Sequence, residues 1–275
     1  MTSLNSMTQL DKERIVGASP AGAADPDSAA RAVQEMFTSI APRYDLLNHV
    51  LSFNVDRLWW WRTARRFDHI LKLPGARVLD LCCGTGDMAF ALWRRARATD
   101  AKILGADFSH VMLQLATAKT NRALAKMKSA FPPRNSRPAS SLRWIEADAL
   151  RLPCPDGHFD LVTSAFGFRN LADYDAGLRE IARILRPGGE SGILDFGEPR
   201  GLIGQVYRVY FKKILPKIGT LISGVRGPYA YLPASVERFP SPEEMMARMK
   251  QAGFAEASWT PYTFGIAGLY RGVKF

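Results

Sequence analysis

The sequence predicts an α/β protein whose central, mostly parallel sheet carries helices on both faces. Short apolar runs alternate with helix-length amphipathic segments between about residues 77 and 196, the pattern of parallel strands joined by helical crossovers. Asp80, Asp107 and Asp148 fall at the ends of successive apolar runs, where open α/β sheets bind ligands. The first run also opens directly into a glycine turn, Gly84-Thr85-Gly86.

Taken in order, residues 1–28 are rich in Ala, Ser, Gly and Asp without a sustained period and are expected to form a mobile tail. Residues 29–275 are expected to form one domain. Its first part, 29–70, reads as a helical cap broken by Pro42. Trp59-Trp60-Trp61 in that cap cannot all face one side of a helix. Strand 77–82 leads to helix 87–97, and strand 102–107 to helix 109–127. Residues 128–141 read as a loop by their Pro and Ser content. Strands 142–147 and 159–164 follow, then helix 173–185, stopped by Arg186-Pro187-Gly188-Gly189, and strand 191–196. Apolar residues at 203, 206, 207, 210, 211 and 214 fit one face of a helix over 202–215. Residues 216–240 read as a loop, and Ser241-Pro242-Glu243-Glu244 as a capping box opening a helix that ends near Gly253. Segments 256–263 and 265–274 predict a hairpin that closes the sheet.

The chain has 275 residues, 47% of them hydrophobic, and a net charge of +11. Such an excess favours anionic partners: nucleic acid, a phosphorylated substrate or a membrane surface. No run approaches the roughly 18 apolar residues that span a bilayer, and no secretory signal is visible near the start. Cys82, Cys83 and Cys154 form neither a disulfide framework nor a zinc pattern. Reduced thiols in a cytoplasmic protein are expected, with no metal.

The turn by itself is ambiguous. Gly84-Thr85-Gly86-Asp87-Met88-Ala89 fits a dinucleotide pattern, and Asp107, 21 residues after Gly86, suits a ribose in NAD or in S-adenosylmethionine. Asp87 favours the latter. A carboxylate at the start of a helix opposes a pyrophosphate and tolerates a sulfonium and an ammonium. A dinucleotide stays open on the turn alone. The glycine turn, Asp107 and Asp148-Ala149 then supply, in chain order, places for the amino-acid end, the ribose and the adenine. With Pro187-Gly188-Gly189 before the fifth strand, they form the signal of a class I methyltransferase.

More specific motifs stand elsewhere. They are Met36-Phe37 with Ile40-Ala41, Tyr44-Asp45 and Asn48; Leu51-Ser52-Phe53 with Arg57-Leu58-Trp59; and Leu79-Asp80-Leu81-Cys82-Cys83-Gly84-Thr85-Gly86-Asp87. Ala165-Phe166-Gly167-Phe168-Arg169-Asn170, Arg183-Ile184-Leu185-Arg186-Pro187-Gly188-Gly189 and Tyr231-Leu232-Pro233 with Ser235-Val236 complete the set. From about Met36 to Phe275 the chain resembles the bacterial menaquinone/ubiquinone ring C-methyltransferases. It departs from them at Ala165, where many members carry Ser, at Asp56, where His is common, and in a longer 128–141 segment.

The resemblance implies a Rossmann-like class I methyltransferase fold, with a central seven-stranded, mostly parallel sheet and a small helical cap. It implies S-adenosyl-L-methionine as methyl donor, held by Gly84, Thr85, Gly86, Asp107, Asp148 and Ala149. It places Arg169, Asn170 and Tyr44 near the substrate, a polyprenylated demethylmenaquinol that becomes menaquinol. The alternative is the benzoquinol intermediate of ubiquinone biosynthesis. A phenol titrates near 10, as Tyr does, so its ionisation needs help. Arg169 and Asn170 suit stabilisation of the oxygen, and Tyr44 suits a hydrogen bond in the same site. His49 is less suited to act as base.

From Pro199 to Val236 there is no Asp or Glu, while Arg200, Arg208, Lys212, Lys213, Lys217 and Arg226 are present. This stretch, in the 199–240 insertion, is expected to face the substrate and an anionic membrane, as a peripheral contact on the cytoplasmic side. A nucleic-acid methyltransferase is the rival from another class. No appended RNA module is present, so no nucleic-acid partner is expected. A homodimer is left open.

Overall fold

Seven strands form one sheet in the order β3-β2-β1-β4-β5-β7-β6. They are β1 (Arg77–Leu81), β2 (Lys102–Asp107), β3 (Ser141–Glu146), β4 (Phe159–Ala165), β5 (Leu185–Phe196), β6 (Phe254–Tyr262) and β7 (Ala267–Lys274). The computed structural model describes residues 17–18, 20, 22–130, 141–199, 201–211, 215 and 228–275. The first five strands run parallel, β7 lies antiparallel on β5, and β6 antiparallel on β7. The final hairpin therefore closes the sheet as its alternation predicts. The chain moves outward from β1 through β2 to β3, then returns to place β4 on the other side of β1. That reversal opens a crevice above the carboxyl ends of β1 and β4, the place where such sheets take ligands.

Side chains alternate across the sheet and feed a core on each face. Leu79, Leu81, Val162 and Ile193 belong to one cluster with Phe168, Tyr174 and Leu178. Val78, Ile103, Leu161 and Leu194 belong to the other with Phe67, Leu92 and Trp93. The central strands are thus buried on both sides, which is why they read as unbroken apolar runs.

The cap is built by α1 (Pro26–Ile40), α2 (Tyr44–Leu51), α3 (Val55–Arg66) and the short α4 (Asp68–Leu71). α5 (Asp87–Arg95) follows β1, α6 (His110–Ala130) follows β2 and α7 (Tyr174–Ile184) precedes β5. Between β5 and β6 stand α8 (Gly201–Val209), α9 (Pro228–Arg238) and α10 (Pro242–Gln251). The capping box of α10 forms as the sequence predicts, Ser241 and Glu244 each closing on the other's backbone.

Several boundaries differ from the sequence expectation. The ordered chain begins before residue 29: α1 starts at Pro26, capped by Asp25, whose carboxylate accepts from Ser28 N at 2.7 Å. Gly17 N and Ala18 N donate to Ala172 O and Leu171 O at 3.0 and 2.7 Å, so this part of the expected tail is docked; residues 1–16 lie outside the described residues. Helix α6 runs on to Ala130, and 131–140 of the expected loop lie outside the described residues. Arg186-Pro187-Gly188-Gly189 does not separate helix from strand, because β5 already begins at Leu185 and absorbs it with a register shift against β4. Residues 228–238 form α9 although Pro233 lies inside it. Burial of Ser235, Val236 and Phe239 outweighs the local breaker there.

The three consecutive tryptophans part company as helical geometry requires. Trp59 is buried and its indole N–H donates to Thr263 Oγ1 at 2.8 Å. Trp60 faces the site described next. Trp61 is exposed, with Arg65 5.2 Å from its ring centroid.

Candidate active site

Two cavities meet beneath the cap. One, of about 360 Å³, lies at the carboxyl ends of β1, β2 and β4 and is lined by Asp80, Gly84, Thr85, Asp87, Asp107, Asp148, Ala149 and Asn170, among others. The other, of about 260 Å³, is strongly aromatic and aliphatic, and Arg169 is in its wall. Phe37, Tyr44, Asn48, Trp60 and Phe166 line both and so form the partition between them.

The first cavity is built by the glycine turn. Cys82 and Gly84 have positive φ, 52° each, and Cys83 N donates to Ala106 O at 3.0 Å. Asp107 pins the turn: its Oδ2 accepts from Gly84 N at 2.7 Å and its Oδ1 from Ser109 N at 2.9 Å. Burial raises its pKa against those hydrogen bonds. The carboxylate keeps further acceptor sites for a pair of hydroxyls. Asp148 folds back on its own loop, accepting from Leu150 N at 2.9 Å.

Gly86 corrects an expectation. It does not line the cavity. Its φ is +91° at the start of α5, and a Cβ there would stand 2.3 Å from the Trp144 ring. Glycine is required for the bend and for that close approach.

Thr85 and Asp87, which line the same cavity, also join a charged node. Lys119, from α6, donates to Thr85 Oγ1 at 2.9 Å and pairs with Asp45 Oδ2 at 2.6 Å and Asp87 Oδ1 at 3.0 Å. The Thr85 hydroxyl donates to Asp45 Oδ1 at 2.5 Å. The Asp87 charge is therefore answered by Lys119, although burial raises its pKa. This node ties α2, which carries Tyr44 and Asp45, to the glycine turn. Gln34 and Thr38 fasten α1 in the same way, to Phe108 O at 2.6 Å and to Ser109 Oγ at 3.2 Å.

Asp80 is the most unusual group. It is fully buried at the end of β1; Thr163 Oγ1 donates to its Oδ1 at 2.8 Å, while among the described residues its Oδ2 has no partner. Burial pushes its pKa up to about 7. An orphan carboxylate oxygen in a cavity lined by five Asp residues suits a cationic ligand end. The donor set fits S-adenosylmethionine: Asp80 for the ammonium, Asp107 for the ribose hydroxyls, Asp148-Ala149 for the base. Cys82 and Cys83 beside it are free thiols whose pKa values burial pushes well above 9. They are inert neutral wall.

Around the second cavity, Arg169 is buried and paired. Its Nη1 donates to Asp195 Oδ1 at 2.9 Å and to Phe166 O, its backbone N donates to Asp195 Oδ2 at 3.1 Å, and its Cζ lies 5.2 Å from the Phe196 ring centroid. The sequence suggests a cationic donor that stabilises the ring oxygen. The structure shows an ion pair, with Nε left as a buried donor without a partner among the described residues. Asn170 lies on the other side, in the first cavity, where its Oδ1 accepts from Tyr231 Oη at 3.3 Å. Tyr44 stands in the partition, with its pKa raised by burial and its hydroxyl hydrogen-bonded to Asn48. His49 is held away by Asp56, 2.7 Å from its Nδ1, and lines neither cavity. Lys119 and Asp195 escaped sequence reasoning, because their partners lie far away in the chain.

Among the described residues no group of His, Cys, Asp and Glu could hold a metal ion, and no helix is long and apolar enough to cross a membrane. A profile of the ubiE/COQ5 methyltransferase family matches residues 26–274. A demethylmenaquinone methyltransferase of Deinococcus radiodurans is 48% identical over 251 residues, 91% of this chain and 95% of that protein. The ubiquinone/menaquinone biosynthesis C-methyltransferase UbiE of Geobacter sulfurreducens is 43% identical, over 88% of each chain. The fold matches that of a SAM-dependent methyltransferase from Thermotoga maritima, with a TM-score of 0.56 at 19% identity over 88% of this chain and all of that one. A Rossmann-like sheet with an acidic cofactor cavity, joined through Tyr44 to an aromatic one, thus agrees with the sequence match over almost the whole length, and the chain is an S-adenosylmethionine-dependent methyltransferase of the ubiE/COQ5 family.

Proposed function

We propose that the chain methylates a ring carbon of a polyprenylated demethylmenaquinol, giving menaquinol. The partition carries this reading. A polar cavity fitted to a cationic methyl donor and an apolar cavity fitted to a ring and its isoprenoid tail share Tyr44, Asn48, Trp60 and Phe166. S-adenosylmethionine supplies an electrophilic methyl on a sulfonium. The chain's own residues hold and activate the acceptor. The carbon beside a ring hydroxyl becomes nucleophilic when that hydroxyl loses its proton. Tyr44 keeps its own proton because burial raises its pKa, so it donates to the developing oxyanion at the partition. Asn170, with its Oδ1 taken by Tyr231, has its amide N–H groups left to donate. Arg169, fixed by Asp195, stands in the wall of the apolar cavity and holds the ring there. The carbon gains the methyl and loses its hydrogen, so one proton is released per turnover.

The test uses purified protein, S-adenosylmethionine and reduced prenylated naphthoquinol or benzoquinol, scored by product mass. The expected result is a product one CH₂ heavier from the naphthoquinol. The name of the Geobacter relative, which covers both quinones, keeps the benzoquinol as the second substrate to score. An unmethylated naphthoquinol would refute the reading.

The tail points to a membrane-facing mouth. Phe53, 76% exposed, contacts Tyr210 at the rim of the apolar cavity with ring centroids 6.0 Å apart, and Val50 and Val209 are exposed nearby in sequence. This rim adds a docking surface to the basic stretch read from sequence. Arg200, Lys212, Lys213, Lys217 and Arg226, and the side chain of Arg208, lie outside the described residues. Flotation with liposomes should be weakened by Phe53→Asp; unchanged flotation of that variant would remove the rim as the docking surface.

A further inference from the structure

Six buried side-chain polar atoms among the described residues lack a hydrogen-bond partner. Asp80 Oδ2 belongs to the cofactor cavity. Thr63, Ser164 and Ser191 line neither cavity. The other two, Arg169 Nε and Tyr207 Oη, belong to residues in the wall of the apolar cavity. A buried donor without an acceptor is costly unless a ligand or water satisfies it. Two such donors in a wall that is mostly aromatic and aliphatic, with Asn48, Ser52, Asp56 and Thr263 as its other non-aromatic polar residues, mark the place of a polar ligand atom.

The two donors share a local frame. The Tyr207 ring stacks on Phe211 with centroids 5.1 Å apart, and Phe211 packs on Phe196 at 5.9 Å. Phe196 in turn lies 5.2 Å from the Arg169 guanidinium carbon. Burial pushes the Tyr207 hydroxyl well above its ordinary pKa, with the Arg169 charge opposing. It therefore keeps its proton and can donate. Neither Arg169 nor Tyr207 touches the cofactor cavity, whereas Tyr44 and Asn48 stand in the partition. An acceptor carbon and its adjacent oxygen must sit at the partition to meet the methyl. The oxygen para to that one, across the ring, then faces away from the cofactor.

We propose that Tyr207, together with Arg169 Nε, binds this far oxygen and thereby selects a 1,4-diol over a simple phenol. The assignment rests on the ring-methylation reading above and adds to it a specificity-determining residue. The far oxygen is meta to the reacting carbon, so holding it does not activate that carbon. The effect belongs to binding and orientation.

The experiment compares the wild type with Tyr207→Phe on three acceptors: 2-geranyl-naphthalene-1,4-diol, 3-geranyl-1-naphthol, which lacks the far oxygen, and 3-geranyl-4-methoxy-1-naphthol, which keeps it as an acceptor only. On the diol, Tyr207→Phe should lower kcat/KM about tenfold, chiefly through KM, with affinity for S-adenosylhomocysteine unchanged. Wild type should lose at least as much on going to the naphthol, where both donors lose their acceptor, and on the naphthol Tyr207→Phe should match wild type. The methoxy compound should outperform the naphthol with wild type, because both protein groups donate. If Tyr207→Phe fails to fold, the three acceptors on wild type decide: equal kcat/KM for diol and naphthol overturns the proposal. So does a Tyr207→Phe loss of the same size on diol and naphthol, or no loss on the diol. Absence of methylation of every acceptor by wild type instead refutes the ring-methylation reading, and this assignment with it.

Discussion

Asp80 should make cofactor binding proton-linked. In the ligand-free protein burial holds its pKa at about 7, with the Thr163 hydroxyl and the Ala89 backbone N–H opposing and Asp107 and Asp87 pushing the same way as burial. An ammonium placed on the unpartnered Oδ2 would favour the ionised form. Below pH 7 the ligand must displace a proton, so its Kd should rise about tenfold per pH unit. From the plateau to pH 5 that is roughly 100-fold, or about 3 kcal/mol. Near pH 6, binding should release close to one proton; near pH 8, almost none. Calorimetry with S-adenosylhomocysteine in two buffers of different ionisation enthalpy reads both quantities. Asp80→Asn should weaken binding at pH 8 and flatten the dependence. The same titration acts on folding with a definite sign. The folded pKa lies above the ordinary carboxyl value of 3.8, so the favourable contribution is complete below that value and is lost as pH rises through about 7. Saturating S-adenosylhomocysteine should offset the loss. A Kd constant within threefold between pH 5.5 and 8, with no proton release, would refute the assignment of Asp80 to the ammonium.

Arg169→Ala removes more than a donor. It leaves Asp195, fully buried, with only backbone N–H partners from Arg169 and Phe196, a change that costs about 3–5 kcal/mol. The melting temperature should fall along with turnover, whereas Arg169→Met with Asp195→Asn should recover much of the stability but not the activity; a wild-type melt for Arg169→Ala would show the pair to be dispensable. Lys119→Met leaves Asp45 and Asp87 without their shared cation. Loss of its charged hydrogen bonds, about 1–3 kcal/mol, should lower kcat/KM for the quinol roughly tenfold and increase proteolysis in α2, with partial rescue by Lys119→Arg. Unchanged kinetics and protease resistance would mean that the node does not position the cap.

The strands, the glycine turn and the acids at strand ends could be read from the chain because each depends on neighbours within a few residues. Period-two burial leaves apolar runs, and a sharp turn demands glycine wherever it occurs. Gly86 was legible as a turn residue for that reason. Its packing against Trp144, 58 residues away, was not. Pro233 misled in the opposite way: a local breaker was overruled by the burial of Val236 and Phe239.

Sequence by itself determined the α/β order, the place of the cofactor cavity and, through motifs, the family of methyl acceptor. Tertiary structure alone decided which charges meet. Arg169 finds Asp195 26 residues on, Lys119 gathers Asp45 and Asp87 from two other elements, and Asp80 is left with one oxygen unanswered. A residue's type states what charge or donor it carries. Whether that group is paired, buried or free for a ligand depends on distance and dielectric, which exist only once the chain has closed on itself.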